Sequence, residues 1–383
     1  MVTIPPKWSP MREYLVVFLV AAVISYLLCV VARELAGWAG AVAQVRDRDV
    51  HAIPIPYFGG VAMLGGLAAG YLVALKLPFL SLAGGYVFHD AAVVVVAGAI
   101  ICAVGVLDDI YELDALTKLG GQVLAAGFLV LNGVQFYSFN SGSEQMVLDP
   151  ALSMLGSIFL VVGTVNAVNF VDGLDGLAGG IVGIGAVAFF CFSYALAVVN
   201  DETLAISSAV LCAALAGACA GFLPHNFFPA RIFMGDSGSM LLGLVLAASA
   251  LTLTGQFSNV STNQGLWGQS SNSWILFLPA LLPISILMIP FLDLVMAVIR
   301  RTRRGEMFYH PDKQHLHHRL LGIGHSQRRA VLIMWSWVAL IGFGLVGVSL
   351  YPRPITLVAI VAGALFASAG TWLLPRMQRT SLG

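Results

Sequence analysis

The stretch Asn166-Ala-Val-Asn-Phe-Val-Asp-Gly-Leu-Asp-Gly-Leu-Ala-Gly179 lies between two long apolar runs. It carries two carboxamides, Asn166 and Asn169, and two carboxylates, Asp172 and Asp175, each three residues from the next. On a helix a step of three residues turns a side chain back by about 60°. Neighbouring members of the set would therefore share a face, and four oxygen-bearing groups able to meet a metal or a phosphate would line a membrane boundary. Glycines at 173, 176, 179 and 180 let a ligand or another backbone come close. Ionisable groups at the edge of hydrocarbon are costly and are usually kept for function. The plain alternative is a polar helix end with small residues for packing, which suits one aspartate better than the whole set.

The apolar runs on either side set the class of the chain. Of 383 residues, 59% are hydrophobic and 10% charged, and the mean hydropathy is +0.90. Soluble domains carry about 25% charged residues. Long apolar runs without alternation predict an all-α polytopic membrane protein rather than a β-barrel. Spans are expected at about 13–35, 57–77, 91–107, 119–136, 151–166, 177–199, 204–223, 237–256, 273–299, 329–350 and 355–374. That makes about eleven transmembrane helices in one integral-membrane domain, 1–383, without a soluble domain or an internal repeat. The five cysteines lie in apolar runs without a CxxC pair and read as small core residues. Nothing points to nucleic acid.

With eleven spans, one set of loops plus the C-terminus holds fifteen Lys and Arg, and the opposite set four. The positive-inside rule then puts the N-terminus outside and the C-terminus in the cytoplasm. The polar motifs fall on the same cytoplasmic side. They are His51-Ala-Ile-Pro-Ile-Pro-Tyr-Phe-Gly-Gly60, the acidic pair Asp108-Asp109 with Glu112 and Asp114 behind it, the Asn/Asp set, Asn226 through Phe233 to Asp236, and a loop over 300–327 with five histidines. Adjacent carboxylates suit Mg²⁺, a hard cation that takes oxygen ligands. They also suit proton removal, because like charges raise one pKa of a pair. Asp236 follows Gly235 at a span's start, where free N–H groups meet phosphate or where it serves only as a cap. The histidines lack zinc spacing, and with Arg319 they suit a diphosphate clamp. Arg300–Arg304 fits anionic lipid. Together these groups predict metal-assisted phosphoryl transfer between an anionic cytoplasmic substrate and a lipid.

In these motifs the chain resembles the polyprenyl-phosphate N-acetylhexosamine-1-phosphate transferases, the group that includes MraY and WecA. The resemblance runs from about Arg46 to Arg329. It is carried in order by Asp108-Asp109, by NxxNxxDGLDGLA over Asn166–Gly179, by N…PAxxFMGD over Asn226–Asp236, and by the HxHHR loop, His315-Leu-His-His-Arg319. The last motif replaces a histidine triplet and is closer to the WecA/TagO branch, which implies UDP-GlcNAc. Ile53 stands where some members carry lysine. The resemblance implies that a polyprenyl phosphate, undecaprenyl or decaprenyl, attacks the β-phosphorus of UDP-GlcNAc and releases UMP, in the inner (plasma) membrane of a bacterium. It implies catalytic roles for Asp108, Asp109 and Asp172. Mg²⁺, or Mn²⁺ in its place, would be held by Asp236, Asn169 and Asp172. His51, Asn166, Asp175, Asn226, Phe233, His315, His317, His318 and Arg319 would bind substrate. A homodimer is the oligomer expected. Two rivals are a phospho-MurNAc-pentapeptide transferase of the same group and an ion-coupled transporter. The second would need acids at mid-span and an inverted repeat.

Overall fold

The computed structural model describes residues 10–43, 54–81, 84–141, 144–199, 203, 205–254, 285, 288, 299, 302–303, 324–351 and 353–380. Among these residues the chain is a helical bundle with two small antiparallel hairpins. The helices are α1 (Pro10–Ala39), α2 (Gly59–Ala74), the single turn α3 (Pro78–Ser81), α4 (Gly85–Tyr111), α5 (Ala115–Leu131), α6 (Pro150–Val171), α7 (Leu177–Val199), α8 (Ala205–Asn226), α9 (Gly235–Thr254), α10 (Gln327–Leu350) and α11 (Pro354–Thr380). Eight of them are long and apolar enough to cross a membrane; α2 and α5 are shorter apolar helices. Each expected span except one falls on a helix of this set, so the all-α polytopic expectation holds. The span expected at 273–299 lies almost wholly outside the described residues.

Burial orders the bundle. In their most apolar stretches α9 is 94% and α8 89% buried, against 6% for α11. α8 and α9 form the axis, and α11 leans on α10 at the periphery. Helices that are apolar all round can do either in a bilayer, so hydropathy did not distinguish them. Polar contacts pin the axis: Ser208 Oγ donates to Ser249 O at 2.9 Å and receives Ser193 Oγ at 3.1 Å, and Ser25 Oγ on α1 donates to Ala218 O at 2.9 Å. Interhelical hydrogen bonds of this kind hold helices together where lipid is as apolar as the side chains. The five cysteines are unpaired, four of them buried and Cys191 half-buried, as their setting predicted.

Local signals explain the breaks. α4 ends at Glu112, which has φ 50°, and Asp114 then caps α5 by accepting from Leu116 N and Thr117 N. Asp149 caps α6 in front of Pro150. One expectation is corrected. The Asn/Asp set does not ride a single helix: α6 ends at Val171, Asp172 is its C-cap residue, and Gly176 turns with φ +75° before α7. Asn166 and Asn169 remain on α6, whereas Asp172 and Asp175 lie in the turn. The two DG steps supply turn residues, and they outweigh the three-residue period.

Candidate active site

The ends of α4, α6 and α8 and the starts of α2, α5 and α9 meet at one end of the bundle. Their close approach depends on glycine. A Cβ at Gly60 of α2 would overlap the backbone of Gly238, and one at Gly105 of α4 would overlap Ser237 Cα. Both glycines let the first turn of α9 sit against neighbouring backbone, and that turn carries Asp236. The segment leading into it is tied to α2 as well: Phe233 N donates to Pro56 O at 2.9 Å, Gly59 N to Phe233 O at 3.0 Å and Gly60 N to Met234 O at 3.0 Å.

Asp236 is the hub. Its Oδ2 pairs with Lys118 Nζ, and its Oδ1 accepts from Asn169 Nδ2 at 2.8 Å. Asn169 Nδ2 also donates to Ser239 Oγ at 2.9 Å. Lys118 Nζ lies 2.8 Å from Asp108 Oδ2, so one ammonium bridges two carboxylates from different helices. The side chains of Lys118, Asp108 and Asp236 keep 24%, 12% and 24% of their exposure, so the cluster is reachable from water. Asp109 turns the other way. Its Oδ1 accepts from Asp236 N at 2.7 Å and its Oδ2 from Ser237 N at 3.3 Å, capping α9 from outside the helix. Gly235 makes room for it, with φ +67° and a missing Cβ that would overlap Asp109 Oδ2.

Asp172 stands half-buried beside this cluster. Burial first, then the charges of Asp236, Asp109 and Asp175, push its carboxyl up to about 8. Asp175 and Asn226 clasp two loops. Asp175 Oδ2 accepts from Ala230 N at 2.9 Å, while Asn226 takes Gly176 N on Oδ1 at 2.8 Å and donates to Ile232 O at 2.9 Å. Both side chains are buried. Phe233 faces Tyr57, ring centroids 6.1 Å apart. Asn166 lies one turn from Asn169 along α6 and pairs with Gln122 of α5. Arg328, just beyond the histidine loop, donates from Nε to Phe228 O at 3.0 Å, which ties that end of the loop to the 227–234 segment. His51, His315, His317, His318 and Arg319 lie outside the described residues.

Thus Asp108, Asp109, Asn169 and Asp236 come together with Asp172 within electrostatic reach, while Asp175 and Asn226 form a separate clasp. Lys118 and Gln122, outside every sequence motif, join the site from α5. Lys118 had a signal: it is a lone cation in the first turn of an apolar span, ten residues after Asp108. Gln122 had only its polarity within an apolar run.

Chemically, two carboxylates that share a cation at an open bundle end can hold a divalent metal against a diphosphate. The Lys118 ammonium shows where positive charge is favoured. Among the described residues no three His, Cys, Asp or Glu side chains converge as a cage. A metal here would keep waters or substrate oxygens, as Mg²⁺ does when one or two carboxylates and phosphates bind it.

The sequence matches the family model described as glycosyl transferase family 4 over residues 91–254. The chain is 45% identical over 377 residues to the decaprenyl-phosphate N-acetylglucosaminephosphotransferase of Mycobacterium tuberculosis strain H37Rv, covering 97% of this chain and 91% of that protein. It is 33% identical over 337 residues to the probable undecaprenyl-phosphate N-acetylglucosaminyl 1-phosphate transferase of Bacillus subtilis strain 168, covering 87% and 83%. A phospho-N-acetylmuramoyl-pentapeptide-transferase of Desulforudis audaxviator is 30% identical over 303 residues, covering 73% and 80%.

Proposed function

This chain belongs to glycosyl transferase family 4, and on that premise we propose that it transfers GlcNAc-1-phosphate from UDP-GlcNAc to a polyprenyl phosphate. A phosphate oxygen of the lipid forms a bond to the β-phosphorus of UDP-GlcNAc. The bond from that phosphorus to the oxygen of UMP breaks, UMP leaves, and GlcNAc-diphosphoryl-polyprenol remains in the membrane. The relatives named as GlcNAc-phosphate transferases are 45% and 33% identical, and the one named for MurNAc-pentapeptide is 30% identical over less of the chain. That ranking supports GlcNAc as the sugar.

The observation that carries the reading at the site is the junction of Asp108, Lys118, Asn169 and Asp236, brought by four helices to one open end. In this proposal Asp236 and Asp108 would hold Mg²⁺, with Asn169 and Asp172 beside them. The metal would neutralise the diphosphate and polarise its phosphorus. Lys118 then turns its ammonium to the phosphates as counter-charge. Asp108, less exposed than Asp236, takes a proton from the lipid phosphate or orients it through the cation the two carboxylates share. Asp109 acts through the backbone, because its two oxygens fix the first turn of α9 and so the aim of Asp236. Substrate contacts are assigned to His51 and, on the sugar-phosphate side, to His315, His317, His318 and Arg319, as the motif resemblance implies.

We place the site end in the cytoplasm of a bacterium, in its plasma membrane, with Met1 outside. The support is that the loops at the site end carry the cationic residues, among them Lys118, Arg231 and Arg328. Cysteines introduced at 258–271 should then label from outside, and those at 306–325 should not.

The test is a transfer assay with purified protein and a polyprenyl phosphate, offering UDP-GlcNAc and UDP-MurNAc-pentapeptide in parallel. Lipid product should form from UDP-GlcNAc alone, stop on chelation and return with Mg²⁺. Transfer from the pentapeptide donor, or full turnover in chelator, contradicts the proposal.

A further inference from the structure

The cluster at Asp236 has a second polar layer beneath it that the transfer mechanism leaves unused. Asn166 Nδ2 donates to Gln122 Oε1 at 2.6 Å and to Val162 O of its own helix at 2.8 Å. Gln122 Nε2 lies 3.4 Å from Asn166 Oδ1 and 3.5 Å from Met240 Sδ on α9. Gln122 is 1% exposed, so a primary amide is buried at the junction of three helices. An amide buried without a full partner is costly. This one is matched by a second amide from the facing helix.

Its place along the helices gives it a task. Gln122 follows Lys118 by four residues on α5, and Asn166 precedes Asn169 by three on α6. Each interval is about one helical turn. The amide exchange therefore lies one turn behind the two side chains that grip Asp236, Lys118 on Oδ2 and Asn169 on Oδ1. α5 needs such a pin. Leu116, Leu119, Val123, Leu124 and Leu131 are exposed, and in a bilayer contacts between aliphatic side chains do little to stop one helix sliding on another. A hydrogen-bonded amide pair has a fixed reach and fixes the slide.

We propose that Gln122 is a positioning residue for the transfer reaction. Through Asn166 it sets the register of α5 against α6, and so lets Lys118 and Asn169 engage the two oxygens of Asp236 together. The inference rests on the function proposed above. It also gives the exposed Asn166 a structural partner in Gln122, its Nδ2 donating inside the protein.

The test uses full-length protein in detergent, with UDP-GlcNAc and a polyprenyl phosphate, at a temperature well below each melting midpoint. Four proteins are compared: wild type, Gln122→Met, Asn166→Gln and the exchanged pair Gln122→Asn with Asn166→Gln. Met is close in shape to Gln and suits the apolar junction. Partners that orient ligands typically matter by about 10–100-fold, so Gln122→Met and Asn166→Gln should each lower kcat by about that factor. KM for UDP-GlcNAc should stay within about threefold, because the nucleotide contacts are elsewhere. The exchanged pair should recover most of the lost kcat, since either arrangement places an amide on each helix. Wild-type kcat in Gln122→Met overturns the proposal. So does a folded exchanged pair no faster than the single variants, because Asn166 would then act on substrate directly. If Gln122→Met does not accumulate, Asn166→Gln and the exchanged pair carry the test, with wild-type kcat in Asn166→Gln counting against the pair. A wild type that transfers nothing from UDP-GlcNAc fails the functional reading instead. The amide pair is then judged by whether the melting shifts of the same four proteins are non-additive.

Discussion

Gly235→Ala tests how the site is built. Gly235 has φ +67°, a left-handed conformation that costs a residue with a Cβ about 1–2 kcal/mol. The new methyl would also stand where Asp109 Oδ2 now lies, forcing the carboxylate off Asp236 N or Ser237 N. A hydrogen bond to a charged group contributes about 1.5–3 kcal/mol. Loss of one such bond plus the backbone term gives a destabilisation of about 2.5–5 kcal/mol. The same shift re-aims Asp236, the next residue, and a displacement of about 1 Å can cost about 10²-fold in rate. Thermal unfolding in detergent and the transfer assay read the two effects. Gly84→Ala is a control for strain without overlap: nothing lies within 4 Å, its backbone at φ 91° and ψ 169° is one that suits glycine alone, and the position is at the far end of α4 from the site. It should show its own backbone cost, about 1–3 kcal/mol, with transfer unchanged. In an Asp109→Ala background the overlap is gone, so Gly235→Ala should there cost only about 1–2 kcal/mol. Full additivity of the two substitutions would refute the reasoning.

Three further outcomes are expected. Lys118→Met leaves Asp108 and Asp236 facing each other without their cation, so kcat should fall by about 10²–10³ while added Mg²⁺ raises the melting temperature more than in wild type; an unchanged Mg²⁺ response would show that the lysine does not mark the cation position. Glu13→Ala removes the acceptor for Phe79 N and Leu80 N at the opposite end of the bundle, which should cost about 1–3 kcal/mol in thermal or denaturant unfolding and leave kcat intact. Asp172 holds its proton to about pH 8 in the folded protein, against 3.8 for an ordinary aspartate. The folded state therefore binds more protons than the unfolded state between those values, and metal-free stability should decline as pH rises through that window; melting curves of Asp172→Asn should show a shallower decline than wild type.

Membrane class and motif order were legible because both are written in runs: apolar length gives spans, and Asp108-Asp109, Asn166–Gly179 and Asn226–Asp236 are contiguous in the chain. Tertiary assignments were less legible. Asn169 and Asp236 meet across 67 residues, and only the folded chain shows that Asp109 turns its oxygens to backbone while Asp108 turns to Lys118. Periodicity suggested one helical face for Asn166 to Asp175, but the Asp-Gly steps break the helix at Asp172. Lys118 is one of the orienting charges by sequence, because a single lysine at the start of a span looks the same whether it faces lipid headgroups or a carboxylate. Gln122 carries no motif at all, and its partner is 44 residues away.

The most direct measurement of the central claim follows phosphorus. Purified protein is given a polyprenyl phosphate and UDP-GlcNAc labelled on either the α- or the β-phosphorus, and the lipid and water phases are separated. The β-label should pass into the lipid with the sugar, and the α-label should stay in water as UMP. If the β-label stays in water as UDP while the sugar enters the lipid, the bond broken is the glycosidic one, and the reaction assigned to the Asp108, Lys118, Asn169 and Asp236 junction is contradicted.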